Sequence, residues 1–286
     1  MCTLNGIMFV VQDPNSLADW YSRVLGMQCQ SLPDGTQSCG YLNDNKMPLG
    51  CRLLFGGCQD EEDSEGSYTA DRSSVYWKIS LYLRDVALAR ERIMQGGVSA
   101  SVASQFKDIG YLSHMADPRG FSIELLQETF EQNFERLDPV TDLALGQPGI
   151  VGLITLRCSD IKRSLQFYQT GFGMKLLSIQ PVSEYGFCLY FLAFTDDEPP
   201  VPDDLESVKN REWLWQRKYT AIELQHRPGA EITPLQTSGE RVRGVDFSVN
   251  TDVFERLQAM ESVSKINDMK IVLDDPDGMK IFVTLK

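Results

Sequence analysis

Histidine is scarce in this chain. Only His114 and His226 occur among 286 residues, so a metal needing two imidazoles would have to use both. No stretch reaches the roughly 18 apolar residues of a membrane-spanning helix. The opening Met1-Cys2-Thr3-Leu4-Asn5 has no basic segment followed by an apolar run, and no signal peptide is expected. Basic residues are in the minority, 27 Lys and Arg against 40 Asp and Glu, a formal net charge of -13. A surface of that sign repels nucleic-acid backbones and anionic lipid, which removes both as expected partners. Cys-x-x-Cys is also absent. The seven cysteines (Cys2, Cys29, Cys39, Cys51, Cys58, Cys158 and Cys188) are odd in number and crowded toward the start. That usage fits reduced thiols in a cytoplasmic protein; the alternative is a zinc site from Cys39, Cys51 and Cys58.

What is present is a repeat. Ile7, Phe9 and Val11 alternate ahead of Asp13, as Ile154, Leu156 and Cys158 do ahead of Asp160. Trp20-Tyr21 matches Phe167-Tyr168, and Leu25-Gly26-Met27 matches Phe172-Gly173-Met174, all at one offset of 147 (160 − 13). Each set reads as a strand, a helix opened by Asp and a glycine stop. A second repeat pairs Lys78 to Leu83 and the helix after Asp85 with Val245 to Val249 and a helix opening at Thr251-Asp252-Val253. These units close on Asp117-Pro118-Arg119-Gly120 and Asp275-Pro276-Asp277-Gly278, turn chemistry between strands. Strand, helix and several strands thus recur four times, in halves spanning 1–128 and 148–286 with a linker at 129–147. Two acidic stretches, Asp60 to Asp71 and Thr195 to Glu206, read as solvated loops, with a pocket lid as the alternative for the second.

These motifs resemble the glyoxalase, bleomycin-resistance and extradiol-dioxygenase group, the vicinal oxygen chelate superfamily. The third unit resembles glyoxalase I, the lyase that isomerises a glutathione hemithioacetal. The match runs through Thr155-Leu156-Arg157 with Asp160, Phe187 to Phe194, Trp213 to Arg217 and Ala221-Ile222-Glu223-Leu224. The resemblance implies an α+β fold of four βαβββ modules in two tandem halves, whose open, barrel-like mixed sheets enclose pockets. It also implies two inward positions per module for a single divalent metal (Zn, Ni, Fe, Mn or Co), one seven residues before the helix-opening Asp and one on a later strand.

Most of those positions depart from metal chemistry. The early ones hold Gly6, Lys78, Leu153 and Val245, with Asp246 as the inward residue if the last strand slips by one. The later ones hold Arg52, Glu124, Glu223 and Phe282. Glu124 and Glu223 are therefore the candidate metal ligands. Pairing unit two with unit three would bring them together with Lys78 and leave a second site without ligands, whereas pairing within halves would separate them. Glu124 occupies a position whose family role can be that of base, which requires a pKa raised toward neutrality by burial. Lys78 is either the electrophile of a metal-free site or the partner of Glu124 in a filled-in one. His114, three residues before Asp117, is a ligand, an acid or base, or a structural histidine. His226 alternates to the face opposite Glu223. That leaves a two-histidine, one-glutamate dioxygenase iron site a ligand short. Arg157 matches a glutathione-contacting arginine, and Arg227 replaces an expected amide. Phe187, Tyr190, Phe191 and Trp20 read mostly as core.

Three functions follow. The first is a glyoxalase I-like lyase or isomerase acting on a small α-oxo or α-hydroxy carbonyl compound or its thiol adduct, such as a glutathione adduct, with at most one working site. The second is a non-catalytic small-molecule-binding protein, and the third another chemistry of the superfamily, such as dioxygenation or epimerisation. Monomer and homodimer both stay open.

Overall fold

A computed structural model describes residues 2–58, 68–69, 71–136, 138–260 and 263–286. Most of the acidic stretch Asp60 to Asp71 falls outside them. The fold is α+β, with sixteen strands and five α-helices among the described residues. The first module holds β1 (Thr3–Val11), α1 (Pro14–Leu25), β2 (Gln28–Ser31), β3 (Gln37–Leu42) and β4 (Pro48–Gly57). The second holds β5 (Tyr76–Leu83), α2 (Val86–Gln95), β6 (Ser104–Phe106), β7 (Gly110–Ala116) and β8 (Ser122–Gln127). The third begins with β9 (Ile150–Cys158) and α3 (Ile161–Leu165), which runs into a π-helical turn. It continues through β10 (Lys175–Val182), β11 (Phe187–Ala193), α4 (Lys209–Trp215) and β12 (Ala221–His226). The fourth holds β13 (Arg241–Val249), α5 (Thr251–Gln258), β14 (Val263–Asn267), β15 (Lys270–Asp274) and β16 (Lys280–Leu285).

Side-chain caps start four of the five α-helices among the described residues. Asp13 accepts from Ser16 N, Asp85 from Leu88 N, and Asp160 from the amides of Lys162 and Arg163. In the fourth module the cap is Asn250, bonded to Val253 N, rather than Asp252. In the strand before it Val245 lies in the core and Asp246 on the opposite face, beside Gly6 and Phe282 in register.

Modules pair between halves. β1 runs antiparallel to β13, joining modules one and four; β5 runs antiparallel to β9, joining modules two and three. The two open eight-stranded sheets touch where Gly50 of β4 meets Val151 of β9. A Cβ at Gly50 would come 2.2 Å from the Val151 carbonyl oxygen, and its φ of +73° suits glycine. The main core lies between the helix-bearing faces. Phe9 of the first sheet packs on Tyr76 and Phe121 of the second at centroid distances of 6.2 and 4.8 Å. A smaller apolar cluster, including Leu153, Leu189, Phe191 and Trp215, covers the open face of the second sheet.

Within each half, a helix tyrosine reaches the closing turn. Tyr21 donates to Asp117 Oδ2 at 3.0 Å, and Tyr168 to Asp275 Oδ2 at 2.9 Å. No helix among the described residues is long and apolar enough to cross a membrane.

The cysteine reading needs correction. Cys29 and Cys39 face each other in the β2–β3 register with Cα atoms 4.1 Å apart and are joined as a disulfide. Only the hairpin register brings them together, ten residues apart in sequence. The zinc grouping of Cys39, Cys51 and Cys58 fails for the same reason. Thr195 to Glu206, with a pocket lid as its alternative reading, is tied down by backbone hydrogen bonds, and its Thr195, Asp196 and Asp197 line a cleft at the first sheet. Asn210 binds the Val201 and Asp204 backbone, Leu205 O accepts from Ile179 N, and none of these residues lines the cavity described below.

Burial pushes Asp117 and Asp275 each up to about 6, against the opposing pull of their turn amides and tyrosines. Between about pH 4 and 6 the unfolded chain loses these protons first, so their contribution to stability falls as pH rises through that window. Replacing Asp117 with Asn removes the titration. The stability of D117N relative to wild type should therefore climb by on the order of 2 kcal/mol from pH 4 to 7 in urea melts. A gap independent of pH would show that the carboxyl ionises as it does in the unfolded chain.

Candidate functional site

The open face of the second sheet carries a cavity of about 230 Å³. Apolar side chains, among them Leu126, Leu153, Phe187, Phe191 and Trp215, form its walls, and Lys78, Glu124 and Glu223 form its floor. Strand alternation brings these floor residues together. Glu124 lies beside Ser80 in register, and Glu223 beside Thr155. Two residues of strand advance by about 6–7 Å, which an extended lysine stem spans. Lys78 therefore brings its ammonium alongside Ser80, two residues further along its own strand.

The resulting contacts are compact. Lys78 Nζ lies 2.9 Å from Glu124 Oε1, 3.1 Å from Thr155 Oγ1, 3.2 Å from Glu223 Oε2 and 3.3 Å from Ser80 Oγ. The hydroxyls close two rings, Ser80 donating to Glu124 Oε1 at 2.8 Å and Thr155 to Glu223 Oε2. Lys78, Glu124 and Glu223 are each 5% exposed or less. Burial works against the lysine's charge, but Glu124 and Glu223 outweigh it and hold its pKa above the ordinary value. Burial likewise opposes ionisation of Glu124, and Lys78 and His114 overcome it, holding that carboxyl well below the usual range. For Glu124 the upward shift expected of a buried carboxylate near another is thus reversed, because the Lys78 ammonium sits beside it.

A metal at this point would have to displace Nζ. The four distances suit an ammonium's hydrogen bonds and exceed the roughly 2.0–2.2 Å of a metal–oxygen bond to zinc. As arranged, the residues do not fit a resident divalent ion. Among the described residues, no three His, Cys, Asp or Glu side chains cluster as metal ligands.

His114 enters from β7, opposite Glu124 in register. Its Nε2 lies 3.0 Å from Glu124 Oε2, off the axis of a good hydrogen bond, and has no other partner. The imidazole stacks on Trp77 at 6.4 Å, and both rings line the cavity. Trp77 sits at a register shift in β5, and such a bulge re-aims a side chain that alternation would send away from Lys78. Its ring faces the Lys78 ammonium at 4.7 Å and the Arg157 guanidinium at 5.1 Å.

The cavity adjoins a wider mouth of about 460 Å³, where Arg72, Arg157 and Arg227 gather in an otherwise acidic protein. Arg157 donates to the backbone carbonyls of Asp71, Ser74 and Tyr76. Burial lowers its pKa to about 10, with Arg227 and Arg72 adding to the shift against Tyr68 and Asp71, so it stays charged at neutral pH. Gln225 lines both mouth and cavity. The outer rim joins two hairpins, with Lys107 ion-paired to Glu184 and Phe106 packed on Tyr185.

The structure therefore brings Lys78, His114, Glu124 and Glu223 to one floor and Arg157 and Arg227 to its mouth. Phe187 lines the cavity, Trp20 and Phe191 are buried, and Tyr190 is half-buried. Sequence reasoning missed Ser80 and Gln225, which period-two counting from Lys78 and Glu223 could have found. It also missed Trp77, which no alternation rule reaches. The other sheet places Gly6, Arg52, Asp246 and Phe282 at corresponding positions. Arg52 donates through Nε and Nη2 to Ser38 and the Gln28 carbonyl, its buried Nη1 making no hydrogen bond, and Asp246 accepts from Asn5 at 2.9 Å.

Over 149 residues this chain is 39% identical to a lactoylglutathione lyase of Pseudomonas aeruginosa, across 47% of this chain and 81% of that protein. The chain belongs to the lactoylglutathione lyase, or glyoxalase I, family. A glyoxalase I of Saccharomyces cerevisiae is 39% identical over 79 residues, 28% of this chain and 22% of that protein. The solved structure of glyoxalase I from Zea mays shares the fold, with a TM-score of 0.69 at 18% identity over 99% of this chain and 92% of that one. No family model matches the chain.

Removing the ammonium alone should be costly. Lys78→Met leaves two buried carboxylates uncompensated, and denaturant melts should show a loss of about 3–5 kcal/mol. Adding Glu124→Gln and Glu223→Gln to that variant should restore much of it. A single variant as stable as wild type would mean that solvent already screens the cluster.

Proposed function

We propose that this protein is a glyoxalase I-type lyase that isomerises the hemithioacetal of an α-oxo aldehyde and a thiol such as glutathione to an α-hydroxy thioester, at a single site. The observation that carries this reading is the meeting of His114, Glu124, Lys78 and Glu223 at one apolar cavity beside an arginine-lined mouth.

Arg157 and Arg227 are suited to the carboxylates of the thiol carrier. The apolar walls take the aldehyde-derived carbons and limit water. Histidine is the side-chain type that titrates nearest neutrality, so the imidazole of the His114–Glu124 pair is the better base. It removes the proton from the carbon bearing sulfur, leaving an enediolate, and returns a proton to the neighbouring carbon. The proton of the former hydroxyl passes to the former carbonyl oxygen, which becomes the new hydroxyl, and the oxygen that gave it up becomes the thioester carbonyl. Glu124 orients the ring and stabilises its protonated form. Lys78 keeps positive charge beneath the developing enediolate. One site suffices, because Gly6, Arg52, Asp246 and Phe282 offer no comparable set.

A second reading, ligand binding without turnover, draws support from the saturation of Lys78 by four oxygens and from the lowered basicity of Glu124.

Thioester formation from premixed methylglyoxal and glutathione separates the two. On the lyase reading wild type turns over, and His114→Asn lowers kcat by roughly 10²–10⁴-fold with little change in product affinity. Arg157→Met should act mainly on KM. Tight binding of the adduct or product with no turnover by wild type would sink the lyase reading and leave the binding one.

A further inference from the structure

The floor of the cavity is built as a cation cradle. Its four oxygens come from four strands: Ser80 from β5, Glu124 from β8, Thr155 from β9 and Glu223 from β12. They belong to two modules 145 residues apart between Lys78 and Glu223, yet all lie 2.9–3.3 Å from a single atom, Lys78 Nζ. An ordinary buried salt bridge pairs one ammonium with one carboxylate. Here two carboxylates share one ammonium, a charge set that suits a divalent ion better than a monovalent one.

We propose that the Lys78 side chain is a built-in occupant of a divalent-cation site, so that this chain neutralises and holds the site without a metal. Three features support it beyond the convergence itself. The ammonium is tethered by a stem of the right length, growing from the strand that borders the cradle. The Ser80 and Thr155 hydroxyls accept from Nζ and donate to the carboxylates, which spreads the unmatched negative charge. The Trp77 ring face, 4.7 Å from Nζ, favours a compact cation at that point.

This inference goes beyond the lyase reading and holds whether or not the site turns substrate over. If it is correct, deleting the tether should open a working metal site. The ligands would be Glu124 and Glu223, with the two hydroxyls and water completing the shell.

The test is equilibrium dialysis of the full chain against Ni²⁺, read by elemental analysis, for wild type, Lys78→Ala, Glu223→Gln and the double variant. Folding is checked by circular dichroism. Wild type should show no Ni²⁺ dependent on Glu223. Lys78→Ala should gain about one Ni²⁺ per chain, lost again in the double variant, and its melting temperature should rise with Ni²⁺ while that of wild type does not. If Lys78→Ala folds only when Ni²⁺ is present during refolding, the inference is equally supported. About one Ni²⁺ in wild type that disappears in Glu223→Gln would overturn it, because the ammonium would then yield to the metal. A folded Lys78→Ala that gains no Ni²⁺ would also overturn it, because the oxygens would not form a metal cradle. Should Lys78→Ala fail to fold under either condition, the wild-type and Glu223→Gln comparison decides. None of these outcomes depends on activity, so they stand apart from the fate of the lyase reading.

Discussion

Everything at the working face of this protein depends on one buried ammonium held between two carboxylates. Lys78 Nζ makes its four contacts across four strands and two modules. Two carboxylates beneath an apolar cavity would otherwise carry a large desolvation cost, which the ammonium between them offsets. The same contact decides the local chemistry. It holds the Glu124 carboxyl well below the usual range and sets the ammonium between the two carboxylates.

The two sheets share one architecture but carry different side chains at corresponding positions. Both are assembled from a module of each half, with helices on one face and an open face opposite. On the second sheet the open face gains its own apolar cluster, Trp215 and Phe191 among it, and this shell makes the polar floor a low-dielectric environment. On the first sheet, Gly6 offers no side chain. A Cβ there would come 2.6 Å from the Arg52 carbonyl oxygen, so the strands approach too closely for a ligand-bearing residue. Arg52 and Asp246 are occupied by local polar partners.

Much of the fold was legible because it rests on local rules. Asp13, Asp85 and Asp160 cap helices where the periodicity begins. Tyr21 and Tyr168 recur at one offset and make the same bond to the turn aspartates Asp117 and Asp275. The exceptions have local physical causes. Asn250 takes over the cap of the last helix, and the strand before it shows Asp246 rather than Val245 on the open face. Cys29 and Cys39 depend on a hairpin register that spacing does not specify.

The sequence by itself determined the module pattern, because period-two alternation and helix caps act over a few residues, and the family resemblance carried by its motifs pointed to Lys78, Glu124 and Glu223 as inward residues. Only the tertiary structure decided that modules pair between halves. That choice lies in nonlocal strand pairing, with β5 against β9 and β1 against β13, which neither alternation nor capping encodes. It placed Glu124 and Glu223 around a single ammonium, set His114 over one of them, and swung Trp77 into the cavity through a bulge. The site's charge state arises from those distances, because electrostatic coupling depends on proximity across strands and is invisible along the chain.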